Sequence, residues 1–277
     1  MNPIGINLWN WTGNFNASGI KYIEKAASIG YTAIEIGLEN TEFDLGLVSK
    51  AIEDNNLAVT ICAALGKGRD ISSFNEEIRE NTKQYMKQCF YIAKKLGAKL
   101  FVGPVYAGGG KAHLLNPSDK KREWKLAVDG LKEMADEAKG HGISIAIEPI
   151  NRYRTSVVNT IEQALQMIKD IDKENVGILF DTYQANIEEK NIFEALKLAC
   201  KSGKLLHVHF SDSNRGAPGM GHIDFNLAVS ILKDYKYKGH ITVETFANGI
   251  FDSGWVILDL PDNVARIGID TIKKYLL

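Results

Sequence analysis

Apolar residues along the chain switch repeatedly between two spacings. Eight short β-rich runs, PIGINL (3–8), YTAIEIG (31–37), LAVTICA (57–63), AKLFVG (98–103), ISIAIE (143–148), VGILFD (176–181), LLHVHF (205–210) and HITVE (240–244), are each followed by a stretch with helical spacing. In SGIKYIEKAASIG (18–30) and NEEIRENTKQYMKQCFYIAKKLG (75–97), for instance, apolar residues fall three and four apart, as one face of a helix requires. Gly30, Gly97 and Gly142 stand just past helical patterns, where a left-handed residue closes a helix before the next strand. Strands this apolar are buried on both faces, as in a parallel sheet covered by helices. Eight strand–helix pairs without a Gly-rich fingerprint after the first strand predict an α/β fold closed into a (β/α)8 TIM barrel, rather than an open doubly wound sheet. With no linker or low-complexity stretch to divide it, residues 1–277 read as a single barrel domain, of the length such barrels take.

Composition narrows the function classes. A hydrophobic share of 45% and a charged share of 24% belong to an ordinary globular protein. Lys and Arg number 33 against 34 Asp and Glu, so the near-zero net charge gives no global attraction to nucleic acid or to an anionic membrane. No run reaches the ~18 apolar residues of a membrane span, and the first residues do not read as a signal peptide. Cys62, Cys89 and Cys200 are odd in number and far apart, which fits buried thiols in a reducing compartment. The expected location is the cytoplasm.

In a (β/α)8 barrel the working groups stand at the C-terminal ends of the strands, so a strand-terminal polar residue is the one to follow. Glu148 ends the fifth run, Asp181 the sixth and Glu244 the eighth, with His209 near the end of the seventh. A single strand-terminal acid is more often a helix cap or a salt-bridge partner. Four ligand-type side chains on consecutive strands are different, because three carboxylates in one partly desolvated mouth repel unless a cation neutralises them. Three oxygens and one imidazole, without thiolate, suit one divalent metal such as Mn²⁺, with Co²⁺, Mg²⁺ or Zn²⁺ admissible. His207 shares the face of His209 one layer deeper and reads as a hydrogen-bonded interior histidine.

The segments EPINRY (148–153), DTYQANIEE (181–189), HFSDSNRGAPGMGH (209–222) and VETF (243–246), with the GINLWNW opening, closely resemble the D-tagatose/D-psicose (D-allulose) 3-epimerase group of the xylose-isomerase-like sugar isomerase/epimerase superfamily. The resemblance implies that Glu148, Asp181, His209 and Glu244 ligate the metal. It implies too that Glu148 and Glu244 form an acid/base pair and that Arg215 contacts substrate oxygens. The implied reaction is inversion of a carbon next to a ketone through an enediolate, with the metal stabilising developing charge and two carboxylates working on opposite faces. It further implies a small-molecule sugar as partner and a homo-oligomer, dimer or tetramer. Asp212 is expected to orient a ligand or Arg215.

Two positions depart from the family. Arg154 stands where members commonly carry Glu, and Gln184 where they carry His, both among the polar contacts to the sugar. A guanidinium grips carboxylate or phosphate well, so a phosphorylated or acidic keto sugar is a candidate substrate. Trp9, Trp11, Tyr106, Phe246 and Trp255 are aromatic candidates for the pocket wall, and 248–262 is long enough for a lid. Rival readings are an aldose–ketose isomerase using the same metal, and an apurinic endonuclease-like phosphodiesterase. The latter needs a multi-metal cluster and a basic face, which six histidines and balanced charge do not supply.

Overall fold

A computed structural model describes residues 2–66, 68–246, 256 and 258–276. Eight parallel strands close into a barrel in chain order. They are β1 (Ile4–Asn7), β2 (Ala33–Gly37), β3 (Ala58–Cys62), β4 (Leu100–Gly103), β5 (Ser144–Ile147), β6 (Val176–Asp181), β7 (Leu205–Phe210) and β8 (His240–Val243). Around them lie α1 (Ile20–Ile29), α2 (Leu45–Asp54), α3 (Glu76–Lys95), α4 (Pro117–Gly140), α5 (Ile161–Ile171), α6 (Thr182–Glu188), α7 (Ile192–Lys201), α8 (Phe225–Asp234) and α9 (Pro261–Leu276). All eight expected strands form, and the left-handed glycines are as expected, with φ of 104°, 79° and 73° at Gly30, Gly97 and Gly142. One crossover differs from the simple alternation. Between β6 and β7 there are two helices, because the Asp181 side chain starts α6 at the strand end and Asn191 starts α7 anew.

Period-two alternation divides the strand side chains into two sets. Ile4, Ile6, Ile34, Ile36, Ile61, Phe101, Ile145, Ile147, Phe180, Val208, Phe210, Ile241 and Val243 point outward and join the main core beneath the helices. Burying each large aliphatic side chain there is worth about 1.5–3 kcal/mol. A much smaller apolar group, Trp9, Cys62, Val102, Ala146 and Leu179, fills part of the barrel interior. The other inward positions include Asn7, Glu35, Thr60, His207, His209 and Thr242, all buried. The inside of the barrel is therefore largely polar, and its apolar stability comes mostly from the outer layer.

Gly103 closes β4 with φ of 130°, and a Cβ there would lie 2.2 Å from the Ala63 carbonyl oxygen. Only glycine fits that approach. Its own carbonyl accepts the backbone N–H of Glu148 at 3.1 Å, which carries the β4–β5 pairing one residue past the end of β5.

Candidate metal centre and active site

Each of the four strand-end residues is fixed by backbone as well as by packing. Glu148 donates its N–H to Gly103, and Glu244 donates its N–H to Phe210 at 3.1 Å, so both glutamates leave the barrel on the inward face. Asp181 pairs in register with His209, and His209 with Thr242. Asp181 divides its oxygens. Oδ1 accepts the N–H groups of Tyr183 and Gln184 at 2.6 and 3.2 Å, capping α6, while Oδ2 faces the barrel axis. One ligand atom from each of Glu148, Asp181, His209 and Glu244 lies within 4.8 Å of all the others, and all four residues are buried.

Arg215 reaches into this group from the loop after β7. Its Nη1 donates to Asp181 Oδ2 at 2.7 Å and its Nη2 to Glu244 Oε2 at 2.5 Å, while its guanidinium lies 4.6 Å from the Tyr183 ring centroid and 4.9 Å from that of Phe246. Its backbone is in the left-handed region with φ of 62°, an uncommon conformation for a long side chain. Asp212 explains how it is held, acting through the loop backbone. Its carboxylate does not reach the guanidinium but accepts the N–H groups of Ser213, Gly219 and Ile223, and its carbonyl accepts the N–H of Arg215. Asp212 thus folds the loop that aims Arg215.

The charge balance of the cluster is incomplete. Burial, then the charges of Glu244 and Asp181, push the Glu148 carboxyl well above the usual carboxylate range. Burial also raises Asp181 against the pull of Arg215. At Glu244 burial is outweighed by His209 and Arg215, which hold it down to about 2. His209 overcomes its own burial and is raised well above the ordinary histidine value by Glu244 and Glu35. Glu148 most, and Asp181 with it, are thus pushed toward protonation while Glu244 is held charged, the expected behaviour of carboxylates sharing too little positive charge. His209 Nδ1 is buried without a hydrogen-bond partner and stands 3.3 Å from Glu244 Oε2. That orphaned nitrogen and three convergent carboxylates fit one divalent cation of the oxygen-preferring kind.

Over the cluster opens a cavity of about 290 Å³, lined among others by Glu148, Glu244, Arg215, Gln184 and Arg154. Its apolar wall includes Trp9 and Phe246, whose ring centroids are 5.6 Å apart. Gln184 is turned to its neighbour, since its Oε1 accepts from the backbone and side-chain nitrogens of Asn151 at 3.0 and 2.7 Å. Two of the other aromatic candidates are structural. Tyr106 is fully buried and donates to the Val158 carbonyl, and Trp11 stacks on Tyr22 and donates to Asp262. Trp255 lies outside the described residues, as does most of 248–262. A larger cleft of about 980 Å³ opens between Asn56, Lys95 and His240 at the opposite end of the barrel, but it contains none of the four converging ligands.

Glu35 was not among the sequence candidates, yet it lies at the heart of the arrangement. It is completely buried midway along β2, and its Oε1 is 2.7 Å from His209 Nε2. Although burial opposes ionisation, His209 and His207 hold its carboxyl well below the usual range. His207 Nε2 is 2.9 Å from Glu35 Oε2, off the line of a straight hydrogen bond, so the interior role expected of this histidine is a contact with Glu35.

The sequence model of the xylose isomerase-like TIM barrel family matches residues 23–275. A ketose 3-epimerase from Arthrobacter globiformis is 30% identical over 249 residues, covering 89% of this chain and 84% of that protein. The 3-dehydro-D-guloside 4-epimerase of Escherichia coli is 30% identical over 228 residues, with 81% and 84% covered. Among solved structures, the D-allulose 3-epimerase from Methylomonas sp. in complex with D-allulose superposes with a TM-score of 0.91 at 28% identity, covering 99% of this chain and 97% of that one.

Proposed function

The chain belongs to the xylose isomerase-like TIM barrel family, and on that premise we propose that it is a metal-dependent ketose 3-epimerase, inverting a carbon next to a ketone through an enediolate. The support is the pairing of two buried glutamates, Glu148 and Glu244, which line one cavity together with Arg215. Sugar binding alone does not call for two carboxylates in one pocket, whereas inversion needs one group to take a proton and another to return it on the opposite face. The similarity to named ketose 3-epimerases over most of the chain supports the same reading.

In this reading Glu148, Asp181, His209 and Glu244 hold a single divalent cation, Mn²⁺ by preference, with Co²⁺, Mg²⁺ or Zn²⁺ as substitutes. When bound, the cation would supply stabilisation for negative charge developing on the carbonyl oxygen. Glu148 and Glu244 move the proton. Arg215 orients sugar oxygens, Arg154 and Gln184 hold the polar wall, and Trp9 and Phe246 keep bulk water from the apolar side. The chain acts as one catalytic domain over 1–277 in the cytoplasm, consistent with its unpaired cysteines, and assembles as a homo-oligomer.

A second reading keeps this chemistry and changes the substrate to a keto-glycoside or an anionic ketose. It is favoured by the E. coli 4-epimerase relative and by Arg154 on the cavity wall. The deciding experiment incubates Mn²⁺-loaded protein in heavy water with free, phosphorylated and acidic ketoses and follows the products by NMR. Deuterium at an inverted carbon beside the ketone is the expected result. Formation of an aldose would shift the assignment to an aldose–ketose isomerase, and a panel without any hydrogen exchange would overturn it.

A further inference from the structure

Glu35 does not line the cavity, yet it is the most heavily engaged carboxylate in the barrel interior. Oε1 receives Asn7 Nδ2 at 2.9 Å and lies 2.7 Å from His209 Nε2. Oε2 receives Thr60 Oγ1 at 2.9 Å and faces His207 Nε2. Asn7 and Thr60 are the register neighbours of Glu35 on β1 and β3, while His207 and His209 come from β7 across the barrel. Ligand-type atoms of Glu35, His207 and His209 also converge within 4.8 Å, but Asn7 and Thr60 already donate to the two oxygens. The carboxylate is therefore an acceptor hub rather than a second metal position.

We propose that Glu35 is a positioning residue that fixes His209 with its Nε2–H toward the barrel interior, so that Nδ1 presents its lone pair to the cation. An ionised carboxylate can only accept hydrogen bonds. An imidazole whose Nε2 is 2.7 Å from such an oxygen must carry its proton there and, when neutral, must leave Nδ1 bare. Nδ1 is the buried, unpartnered nitrogen that faces Glu244. A ring held in this way loses neither orientation nor tautomer when the cation arrives, and a carboxylate behind the ring raises the basicity of the ligating nitrogen. Asn7 extends the same support toward the cavity, because its Oδ1 accepts the backbone N–H of Trp9 at 2.9 Å. This role rests on the metal centre proposed above.

Two measurements test it. In Mn²⁺ titrations followed by the EPR signal of free ion, Glu35→Gln should weaken metal binding about 10- to 100-fold. Thr60→Val, which removes a hydrogen bond from the same carboxylate without touching His209, should change affinity by less than about threefold. Equal losses in both variants, or wild-type affinity in Glu35→Gln, would reduce Glu35 to a packing role. If Glu35→Gln does not fold, nitrogen NMR of isotope-labelled histidines in the Cd²⁺-loaded wild-type protein decides the matter. Coupling of cadmium to Nδ1 of His209 with a proton on Nε2 is expected, and coupling through Nε2 overturns the assignment. A wild-type protein that takes up no Mn²⁺ would sink the metal centre and this role together, whereas intact wild-type binding with an unaffected Glu35→Gln sinks the role alone.

Discussion

Glu148 and Glu244 carry both charge and reach, and their substitution should separate binding from chemistry. Glu148→Gln keeps the size of the side chain but can no longer take a proton, so kcat should fall about 100- to 10,000-fold, read as deuterium incorporation into the ketose. Arg154 offers a test of substrate class. If its guanidinium holds an anionic group, Arg154→Glu should lower kcat/KM for phosphorylated or acidic ketoses at least about tenfold relative to free ones, since a charge-assisted hydrogen bond is worth about 1.5–3 kcal/mol. An unchanged preference would remove the anionic reading. The four strand-end residues were legible in the sequence because each interrupts or terminates an apolar run. Glu35 was not, because it sits inside YTAIEIG rather than at its end. The available signal was parity. Counting by twos from Gly37 places Glu35 on the inward face, the same arithmetic that puts His207 beneath His209.

At the scale of elements, the crowded β3–β4 rim makes a sharp prediction. Gly103→Ala must fit a methyl group where the Ala63 carbonyl lies 2.2 Å away, at a φ of 130°. Strain of this kind costs about 1–3 kcal/mol even without the clash, so a stability loss of at least about 2 kcal/mol is expected in urea denaturation. Because the Gly103 carbonyl accepts from Glu148, activity should suffer beyond what the lost stability explains. Strand positions were readable from the apolar runs, and helix ends from glycines such as Gly30. The paired α6 and α7 were harder to see, since DTYQANIEE looks like one continuous helical stretch until Asn191 caps a new start. The inward turn of Arg215 was also out of reach of spacing alone. It depends on a left-handed residue and on three loop N–H groups gathered by Asp212, none of which leaves a periodic trace.

For the whole molecule, the crowding of acids ties stability to metal and to pH. In the metal-free protein Glu148 and Asp181 are raised above their ordinary values, and His209 is raised as well. Groups raised on folding contribute stability that is complete below their unfolded values and is lost as pH rises through the folded ones. The metal-free Tm should therefore fall as pH rises past the ordinary histidine value of about 6.5. Glu35 and Glu244, which are lowered, oppose this only at the acid end, where their stabilisation disappears as pH drops through the folded values. A cation replaces the missing protons, so the gap in Tm between Mn²⁺-loaded and chelator-treated protein should widen with pH. At one hundred times Kd it amounts to about 2.7 kcal/mol, or roughly 5–10 °C for a chain of this size. A gap that is constant or shrinking as pH rises would contradict the charge balance described here. The separation of the two apolar cores has a practical corollary. Because the helix-covered layer bears most of the hydrophobic load, cavity-wall positions such as Arg154 and Phe246, which belong neither to the Glu35 network nor to the four proposed ligands, can be rewritten for another sugar with little danger to the scaffold, which makes this barrel a good starting point for directed evolution.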